Sequence, residues 1–400
     1  MEYNFDEDVN RKGTNSVKWD NCKEVFKRDD IIPMWVADTD FKAPKEVIES
    51  IKKRAEHGVF GYTYRGSSFK ESVINWLKRR HNWEVDKEWI TFSPGIVPAL
   101  NLCVNTFTNP GDKVIIQTPI YPPFRSVVEG NGRIIVNNEL SLKDNHYYMD
   151  LESLKKQITD SDGEFDHRVK MLLLCSPHNP TGRVWTKEEL IELGEICAQN
   201  DIIIVSDEIH SDIVYKNHKH IPIASLSEEL AKITISCISP SKSFSLAGLA
   251  SSAIIIPDKK KRSLFNNALE ISHIGGGNIF GNIAIEEAYK NGETYLDELI
   301  LYLEENLNYC IDFFSKEIPQ IKPIRPEGTY LVWLDCSKLG LKGKDLMEFF
   351  TDKARVGVNP GSNFSIKYSD FVRLNIGCTR KTLTEGLERI KKAVEEMSLK

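Results

Sequence analysis

The sequence predicts an α/β fold: a three-layer large domain built on a mostly parallel sheet, joined to a smaller α+β domain. Short, almost continuously apolar runs rich in Val and Ile recur through the middle of the chain, and longer segments with helical spacing separate them. Strands that helices cover on both faces have this pattern, because neither face meets water. Near the C-terminus the pattern changes to alternating strands and an amphipathic helix.

The apolar runs in the middle of the chain predict the strands of the large domain. They are residues 114–117, 170–175, 202–205, 233–238 and 253–256, and their unbroken apolar character predicts parallel pairing. Between the second and third runs, Thr186 and Glu189 have the spacing of a capping box, and apolar residues follow at helical intervals. We therefore expect a helix to begin there and to cross from one strand to the next.

The last part of the chain predicts a different architecture. Residues 329–334 and 371–376 alternate as strands do, and residues 383–397 carry the apolar stripe of a surface helix. A helical stretch over about residues 281–315 joins the two parts. The boundaries that follow are 45–285 for the large domain, and 1–44 with 286–400 for the small one.

Composition argues against several classes of function. The 400 residues carry a net charge of −6 with no long Lys/Arg patch, so nucleic acid is not expected as a partner. No apolar run approaches the ~20 residues of a membrane span, and the N-terminus does not resemble a signal peptide. Eight scattered cysteines without a CxxC pair predict reduced thiols and a cytoplasmic protein. We expect no metal site, and we expect His218 and His220 to lie in a solvated loop.

Lys242 lies just after the predicted strand 233–238 and is flanked by Ser239, Ser241 and Ser243. A desolvated lysine with a lowered pKa forms a Schiff base with an aldehyde, and neighbouring hydroxyl groups can bind a phosphate. This segment therefore suggests pyridoxal 5′-phosphate (PLP). Taken alone, it is equally compatible with a surface lysine in a serine-rich turn.

Further motifs follow the other predicted strands, where ligands of open α/β sheets bind. Asp207 could pair with a protonated pyridine nitrogen or cap a helix. Asn179 could donate to the phenolate oxygen of PLP or form a plain Asn-Pro turn, and Tyr121 could stack on an aromatic ring or pack in the core. Gly95 precedes a predicted helix whose first N–H groups could bind phosphate.

Taken together and in this order, the motifs resemble the fold-type I PLP enzymes of the class I/II aminotransferase superfamily over nearly the whole chain. Within it the chain is most similar to the cystathionine β-lyase, or C–S lyase, branch. The segments that carry this closer resemblance are 33–38, 118–124, 178–180, 206–212, 239–249 and 371–375. The resemblance implies a PLP-dependent transferase-like fold and a homodimer with shared active sites.

The resemblance also implies roles for individual residues. Lys242 binds the cofactor aldehyde and takes the substrate Cα proton, Asp207 faces the pyridine nitrogen, and Asn179 bonds the phenolate oxygen. Tyr121 stacks on the ring, and either Tyr121 or Lys242 protonates the leaving thiolate. Arg373 grips the substrate α-carboxylate through its planar fork. The other implied contacts to the cofactor are Gly95, Ile96, Val97, His210, Ser239, Ser241 and the neighbouring subunit's Tyr64, and those to the substrate are Trp35, Ala37 and Asn363.

Some positions depart from the pattern of these relatives. Ala250 stands where many of them have an arginine that helps to bind phosphate, so we expect hydroxyls and backbone N–H groups to do so here. Thr39 and Asn363 stand where the lyase branch tends to have Met and Trp, which leaves the substrate preference open. The glycines of 275–278 lack the context of a nucleotide loop and predict a turn near the subunit interface.

Three functions are compatible with these residues. The resemblance implies β-elimination of an amino acid that bears sulfur, giving thiol, pyruvate and ammonia. Transamination uses the same residues, and the cofactor motifs do not separate the two reactions. The third hypothesis is a regulatory protein that binds partners; the intact set of site residues argues against loss of catalysis but not against a second role.

Overall fold

The computed structural model of the chain describes residues 2–398. Its strands are β1 (Ile32–Pro33), β2 (Ile90–Ser93), β3 (Lys113–Ile116), β4 (Ile134–Asn137), β5 (Ser141–Lys143), β6 (His146–Tyr148), β7 (Val169–Cys175), β8 (Ile203–Asp207), β9 (Thr234–Ile238), β10 (Ser252–Ile255), β11 (Lys322–Ile324), β12 (Leu331–Asp335), β13 (Val356–Gly357), β14 (Asn359–Pro360) and β15 (Phe371–Asn375). Its α-helices are α1 (Cys22–Phe26), α2 (Lys45–Glu56), α3 (Ser67–His81), α4 (Ile96–Phe107), α5 (Pro122–Glu129), α6 (Leu151–Gln157), α7 (Lys187–Gln199), α8 (Glu228–Ile233), α9 (Lys259–Ile271), α10 (Ile279–Asn291), α11 (Glu293–Glu317), α12 (Gly343–Glu348) and α13 (Arg380–Ser398).

A seven-stranded sheet with the order β2-β10-β9-β8-β7-β3-β4 carries the large domain. All its strands point the same way except β10, which is antiparallel to both β9 and β2. The mostly parallel sheet is therefore confirmed, but the expectation that 253–256 would be a parallel strand is wrong. Residues 239–251, which connect β9 to β10, contain no α-helix to form the crossover that a parallel neighbour needs.

Helices cover both faces of this sheet, as the continuous apolar runs predict. In β7, Met171 and Leu173 pack in the same core cluster as Leu100 of α4. The alternate residues Leu172 and Leu174 pack on the other face, in a cluster with helix α7. The predicted capping box is confirmed, because the Thr186 hydroxyl and the Glu189 carboxylate each accept the other residue's backbone N–H at the start of α7.

The C-terminal part contains an antiparallel sheet with the order β11-β12-β15-β14. Its central strands do not alternate between buried and exposed side chains, as the sequence suggested, because both faces are covered. Val332 faces the core beneath α11 and α13, whereas Trp333 points the other way and donates from Nε1 to the Tyr147 hydroxyl at 3.0 Å. The helix predicted over 383–397 is confirmed as α13, with Leu387 and its apolar neighbours buried.

The helical stretch 281–315 is two helices, α10 and α11, divided at Gly292, where a Cβ would lie 2.5 Å from the Ala288 carbonyl oxygen. Strand β1 pairs in parallel with β13, and this pairing joins the first and last parts of the chain. The domain boundaries given above stay a prediction. Among residues 2–398, no helix combines the length and apolar character needed to cross a bilayer.

Candidate active site

The predicted motifs meet at the carboxyl edge of the large sheet. Loops that follow β2, β3, β7, β8 and β9 surround a cavity of about 240 Å³ together with a segment from near the N-terminus. The predicted site residues that line it are Ala37, Gly95, Ile96, Val97, Tyr121, Asn179, Asp207, His210, Ser239, Ser241 and Lys242. Parallel strands explain this convergence, because their carboxyl ends share one edge.

Lys242 presents its amine inside the cavity. It is partly buried, and Nζ donates to the Ala37 carbonyl oxygen at 2.5 Å. Loss of solvent lowers the pKa of Lys242 to about 8; Asp38 and Asp207 oppose this effect and Arg373 adds to it. A substantial fraction of the amine is therefore neutral near pH 8, as both an attack on an aldehyde and proton abstraction require.

Asp207 is the last residue of β8 and is buried. A turn follows it, so the alternative that it caps a helix is wrong. Its Oδ1 accepts the Ile209 backbone N–H at 3.1 Å, and burial raises the pKa of the carboxyl to about 7. A cationic pyridinium beside the carboxyl would favour the ionised form, which matches the predicted role of Asp207.

Asn179 and Arg373 form a buried pair at the side of the cavity. Arg373 Nη1 donates to Asn179 Oδ1 at 3.0 Å, and Nη2 donates to the Asn359 side chain at 2.7 Å and to the Trp35 carbonyl at 2.9 Å. Burial lowers the pKa of Arg373 to about 10, which still leaves it charged at neutral pH. Arg373 does not line the cavity but stands one hydrogen bond beyond Asn179. The Asn179 amide nitrogen has no hydrogen-bond partner among the residues described and can donate to a ligand.

The end of the cavity near α4 offers donors for an anion. Gly95 has a φ of +131°, which glycine adopts without strain, and precedes the first turn of α4. Ser239 donates to the Ser251 carbonyl at 2.9 Å and accepts from the Ser241 backbone N–H at 3.2 Å. Apart from Lys242, the cavity lining in the described part of the chain holds no lysine or arginine, and Ala250 is part of it. The groups that this end of the cavity offers to a phosphate are therefore hydroxyls and backbone N–H groups, and their role in binding it stays a prediction.

These groups fit PLP. The cavity offers an amine for the aldehyde, a buried carboxyl for the ring nitrogen, an amide for the phenolate and hydroxyls with a helix start for the phosphate. Two buried polar atoms in its wall, Ser251 Oγ and His210 Nδ1, have no hydrogen-bond partner within residues 2–398. Such atoms are expected where a polar ligand completes a site.

Comparison with known proteins identifies the family. Residues 29–390 match the family model described as Aminotransferase class I and II. The chain belongs to this family. It is 46% identical to cystathionine beta-lyase PatB of Bacillus subtilis (strain 168), over 98% of this chain and 100% of the relative. The resemblance inferred from the sequence is confirmed.

Solved structures confirm the fold of this class I and II aminotransferase family member. Cystalysin from Treponema denticola, which contains a pyridoxal 5′-phosphate cofactor, superposes with a TM-score of 0.94 at 36% identity, with 100% of both chains covered. The PLP-bound C–S lyase from Staphylococcus hominis has a TM-score of 0.90 at 34% identity, with 98% of each chain covered. The PLP-dependent transferase-like fold is thereby confirmed.

Several residues predicted from the resemblance to this family lie outside the cavity. Tyr64 is 85% exposed and does not line the cavity. The predicted contact of Tyr64 with a cofactor would therefore be made in the site of a second subunit. Trp35 and Asn363 line a neighbouring cavity of about 420 Å³, and Trp35 reaches the site only through its carbonyl bond with Arg373. Thr39 is buried against the Ser245 hydroxyl and does not line the cavity.

Sequence reasoning missed other parts of the site. Ser251 lines the cavity, and its position directly before an apolar strand was the available signal. Asn375 donates from its amide to the carbonyls of Val36 at 2.6 Å and Asp38 at 2.7 Å. It thereby holds the segment 35–38, here called the N-terminal strap, which carries Ala37 into the cavity. Nothing in the local sequence indicates this long-range contact.

Of the two histidines expected in a solvated loop, His218 is exposed and His220 is not. His220 does not lie in a solvated loop: it is 3% exposed, and its Nε2 lies 3.0 Å from Glu208 Oε2. The turn at 275–278 binds the Arg65 guanidinium through the carbonyls of Gly275 and Gly276. No group of histidine, cysteine and acidic side chains suited to a metal ion occurs in the described part of the chain.

Proposed function

We propose that the chain is a PLP-dependent carbon–sulfur lyase that converts a sulfur amino acid and water into a thiol, pyruvate and ammonia. The observation that carries the proposal is that the Lys242 amine, with its lowered pKa, shares one cavity with Asp207 and Asn179, and that Arg373 is hydrogen-bonded to Asn179 just outside it. The relative that is 46% identical is a cystathionine beta-lyase, and a solved neighbour is a PLP-bound C–S lyase. These names support a lyase over other reactions of the same site.

When bound, PLP supplies an electron sink that stabilises negative charge at the substrate Cα. The chain supplies the remaining functions. Arg373, held by its hydrogen bond to Asn179, binds the substrate α-carboxylate and so fixes the Cα–H bond relative to Lys242. The neutral Lys242 amine takes that proton.

The Cβ–S bond of the substrate then breaks and sulfur leaves with the bonding electrons as a thiolate. Two groups in the cavity can return a proton to it: the Lys242 ammonium, and the Tyr121 hydroxyl, whose pKa burial raises. The remaining three-carbon enamine takes up water and gives pyruvate and ammonia.

The test is to incubate the PLP-loaded protein with cystathionine in the absence of any 2-oxo acid and to measure pyruvate, ammonia and thiol. The proposal predicts all three in equal amounts. A strict requirement for an oxo-acid acceptor would refute it. A panel that adds cysteine, and alanine with an oxo acid, defines the preferred substrate.

Transamination is the second candidate, because the chain belongs to a family described as aminotransferases and the same residues would serve. In that reaction the Cβ–S bond would stay intact, Lys242 would again move the Cα proton, and the cofactor, when bound, would accept the amino group. The acceptor requirement in the same assay separates the two reactions.

We also propose a homodimer and a cytoplasmic location. Val59, Phe60, Tyr62 and Tyr64 form a run of exposed apolar and aromatic side chains, which supports a subunit interface in this region. The eight cysteines are all buried and free, which supports a reducing compartment.

A further inference from the structure

A buried polar cluster lies beside the two residues that the proposed function uses most, Lys242 and Asp207. We define it as Trp76, His81, Glu208, Asp212, His220 and Ser243, each at most 8% exposed. Glu208 directly follows Asp207 and Ser243 directly follows Lys242. Two members of the cluster are therefore direct sequence neighbours of the two residues proposed to react.

Asp212 is the centre of one half of the cluster. Its Oδ1 lies 3.0 Å from both Trp76 Nε1 and His81 Nε2, and its Oδ2 accepts from the Ser243 hydroxyl at 3.0 Å. Because a carboxylate can only accept, His81 Nε2 is the donor in its contact with Asp212. One carboxylate thus ties the segment that carries Lys242 to helix α3.

A second contact fixes the same segment. Phe244, the next residue along the chain, packs edge-on against Trp76 with ring centroids 5.7 Å apart. Two consecutive residues after Lys242 are therefore held by the Trp76–Asp212 pair. A lysine side chain has four rotatable bonds, so the position of its amine depends on how firmly its backbone is held.

Glu208 is the centre of the other half. Its Oε1 accepts from the Ser236 hydroxyl of β9 at 3.1 Å, and its Oε2 pairs with His220 Nε2 at 3.0 Å. The His220 ring meets the His81 ring edge-on at 5.3 Å, which joins the two halves. The end of β8, where Asp207 lies, is thus fixed by the same cluster.

We propose that Asp212 and Glu208 are positioning residues for the reaction. Asp212 acts through Ser243 and Glu208 through the end of β8, and together they set the position of the Lys242 amine relative to the Asp207 carboxyl. The inference rests on the proposed function, because it takes Lys242 and Asp207 as the reacting pair. Neither the Asp212 nor the Glu208 carboxylate lines the cavity, so both act through other residues.

The test compares Ser243→Ala with Thr108→Ala in the PLP-loaded protein. Thr108 is a matched control: it is 5% exposed, and its hydroxyl accepts from Arg133 Nε at 2.8 Å, away from the cavity. We expect Ser243→Ala to lower kcat about 10- to 100-fold, because small displacements of reacting groups have effects of this size. The KM should change by less than about twofold, and the visible circular dichroism of bound PLP should change.

Thr108→Ala should lower the melting temperature by a similar amount but leave kcat and the visible spectrum as in the wild type. Equal losses of kcat in the two variants, or an unchanged kcat and spectrum in Ser243→Ala, would overturn the inference. Glu208→Gln tests the other half of the cluster without removing volume, and it should also lower kcat and raise the dissociation constant of PLP. If Glu208→Gln has the same kcat and the same PLP dissociation constant as the wild type, Glu208 has no positioning role.

The ratio of variant to wild-type kcat is measured in elimination and in transamination. A wild type that only transaminates would refute the lyase proposal, while the ratio in that reaction would still test the positioning role. The dissociation constant of PLP, measured by titrating the cofactor-free protein, is independent of both reactions.

Discussion

Arg373 donates from Nη1 to the side-chain oxygen of Asn179 at 3.0 Å. This bond joins the residue proposed to bind the substrate carboxylate to the residue proposed to bind the cofactor phenolate. It also orients the Asn179 amide, because the oxygen is taken by the guanidinium and the nitrogen is left for the ligand. Substrate binding and cofactor orientation are therefore coupled through one side chain.

The Arg373→Lys variant should lower kcat/KM about 10- to 100-fold, because an ammonium cannot serve Asn179, Asn359 and a carboxylate together. The loss should appear mainly in KM, and the visible spectrum of the bound cofactor should shift as Asn179 loses its partner. Steady-state kinetics and absorption spectra check both effects. A normal KM in Arg373→Lys would show that another group binds the carboxylate. The control is Arg325→Lys, the same substitution at an exposed site.

Asp207 should make the stability of the cofactor-free protein depend on pH. Burial raises its pKa from the ordinary 3.8 to about 7, so its contribution to stability is present at low pH and is lost as pH rises from about 4 through 7. The stability of Asp207→Asn relative to the wild type should therefore grow by about 2–4 kcal/mol between pH 4 and 7.5. Urea unfolding at a series of pH values measures this difference.

Asp166 provides the control for that experiment. Arg168 and Lys113 hold its pKa well below the ordinary range, so its contribution is present above about pH 4 and is lost only at lower pH. The difference between the wild type and Asp166→Asn should stay flat from pH 4 to 7.5. A flat difference for Asp207→Asn as well would show that its carboxyl is not desolvated.

Asn375→Ala should raise the substrate KM about tenfold by releasing the N-terminal strap from its two amide hydrogen bonds. Asn306 is a matched control, because its amide bridges two carbonyls, those of Ile376 and Cys378, at the end of the same strand but away from the cavity. Asn375→Ala and Asn306→Ala should each lose about 1–3 kcal/mol of unfolding free energy, and only Asn375→Ala should change KM. Equal KM values in the two would show that the strap does not shape the site.

Tyr64 and Lys242 allow a direct test of a shared active site. If Tyr64 acts across a dimer interface, a mixture of inactive Lys242→Ala with Tyr64→Ala forms hybrids in which one site has both native residues. Random mixing in equal amounts should then recover up to about a quarter of wild-type activity. Activity no higher than the sum of the separate variants would place Tyr64 elsewhere.

The sequence was sufficient to predict the parts of the fold that depend on local pattern. The continuous apolar runs identified five of the seven strands of the large sheet, all but β2 and β4. The polar residues that follow these runs converge because parallel strands share one carboxyl edge. The direction of β10 was not predictable from its composition, because an antiparallel strand buried on both faces has the same apolar run as a parallel one.

Contacts between distant segments account for most of what was missed. His220 lies in a polar stretch of sequence, yet it is buried and its Nε2 pairs with the Glu208 carboxylate in the interior. Trp35 and Asn363 were assigned to the substrate by resemblance, but the path of the backbone directs them to a neighbouring cavity. Such placements depend on which chain segments meet, and neither periodicity nor motif spacing carries that information.

The reversed direction of β10 has a consequence for engineering the protein. Residues 239–251 leave the sheet at the end of β9 and return at the start of the adjacent β10, so both ends of the segment are anchored at one edge. Lys242, Ala250 and the serines of the cavity all belong to this one loop. An exchange of this loop for that of a relative with arginine at position 250 would leave the register of the sheet intact, provided that Ser243 and Phe244 keep their contacts with Asp212 and Trp76.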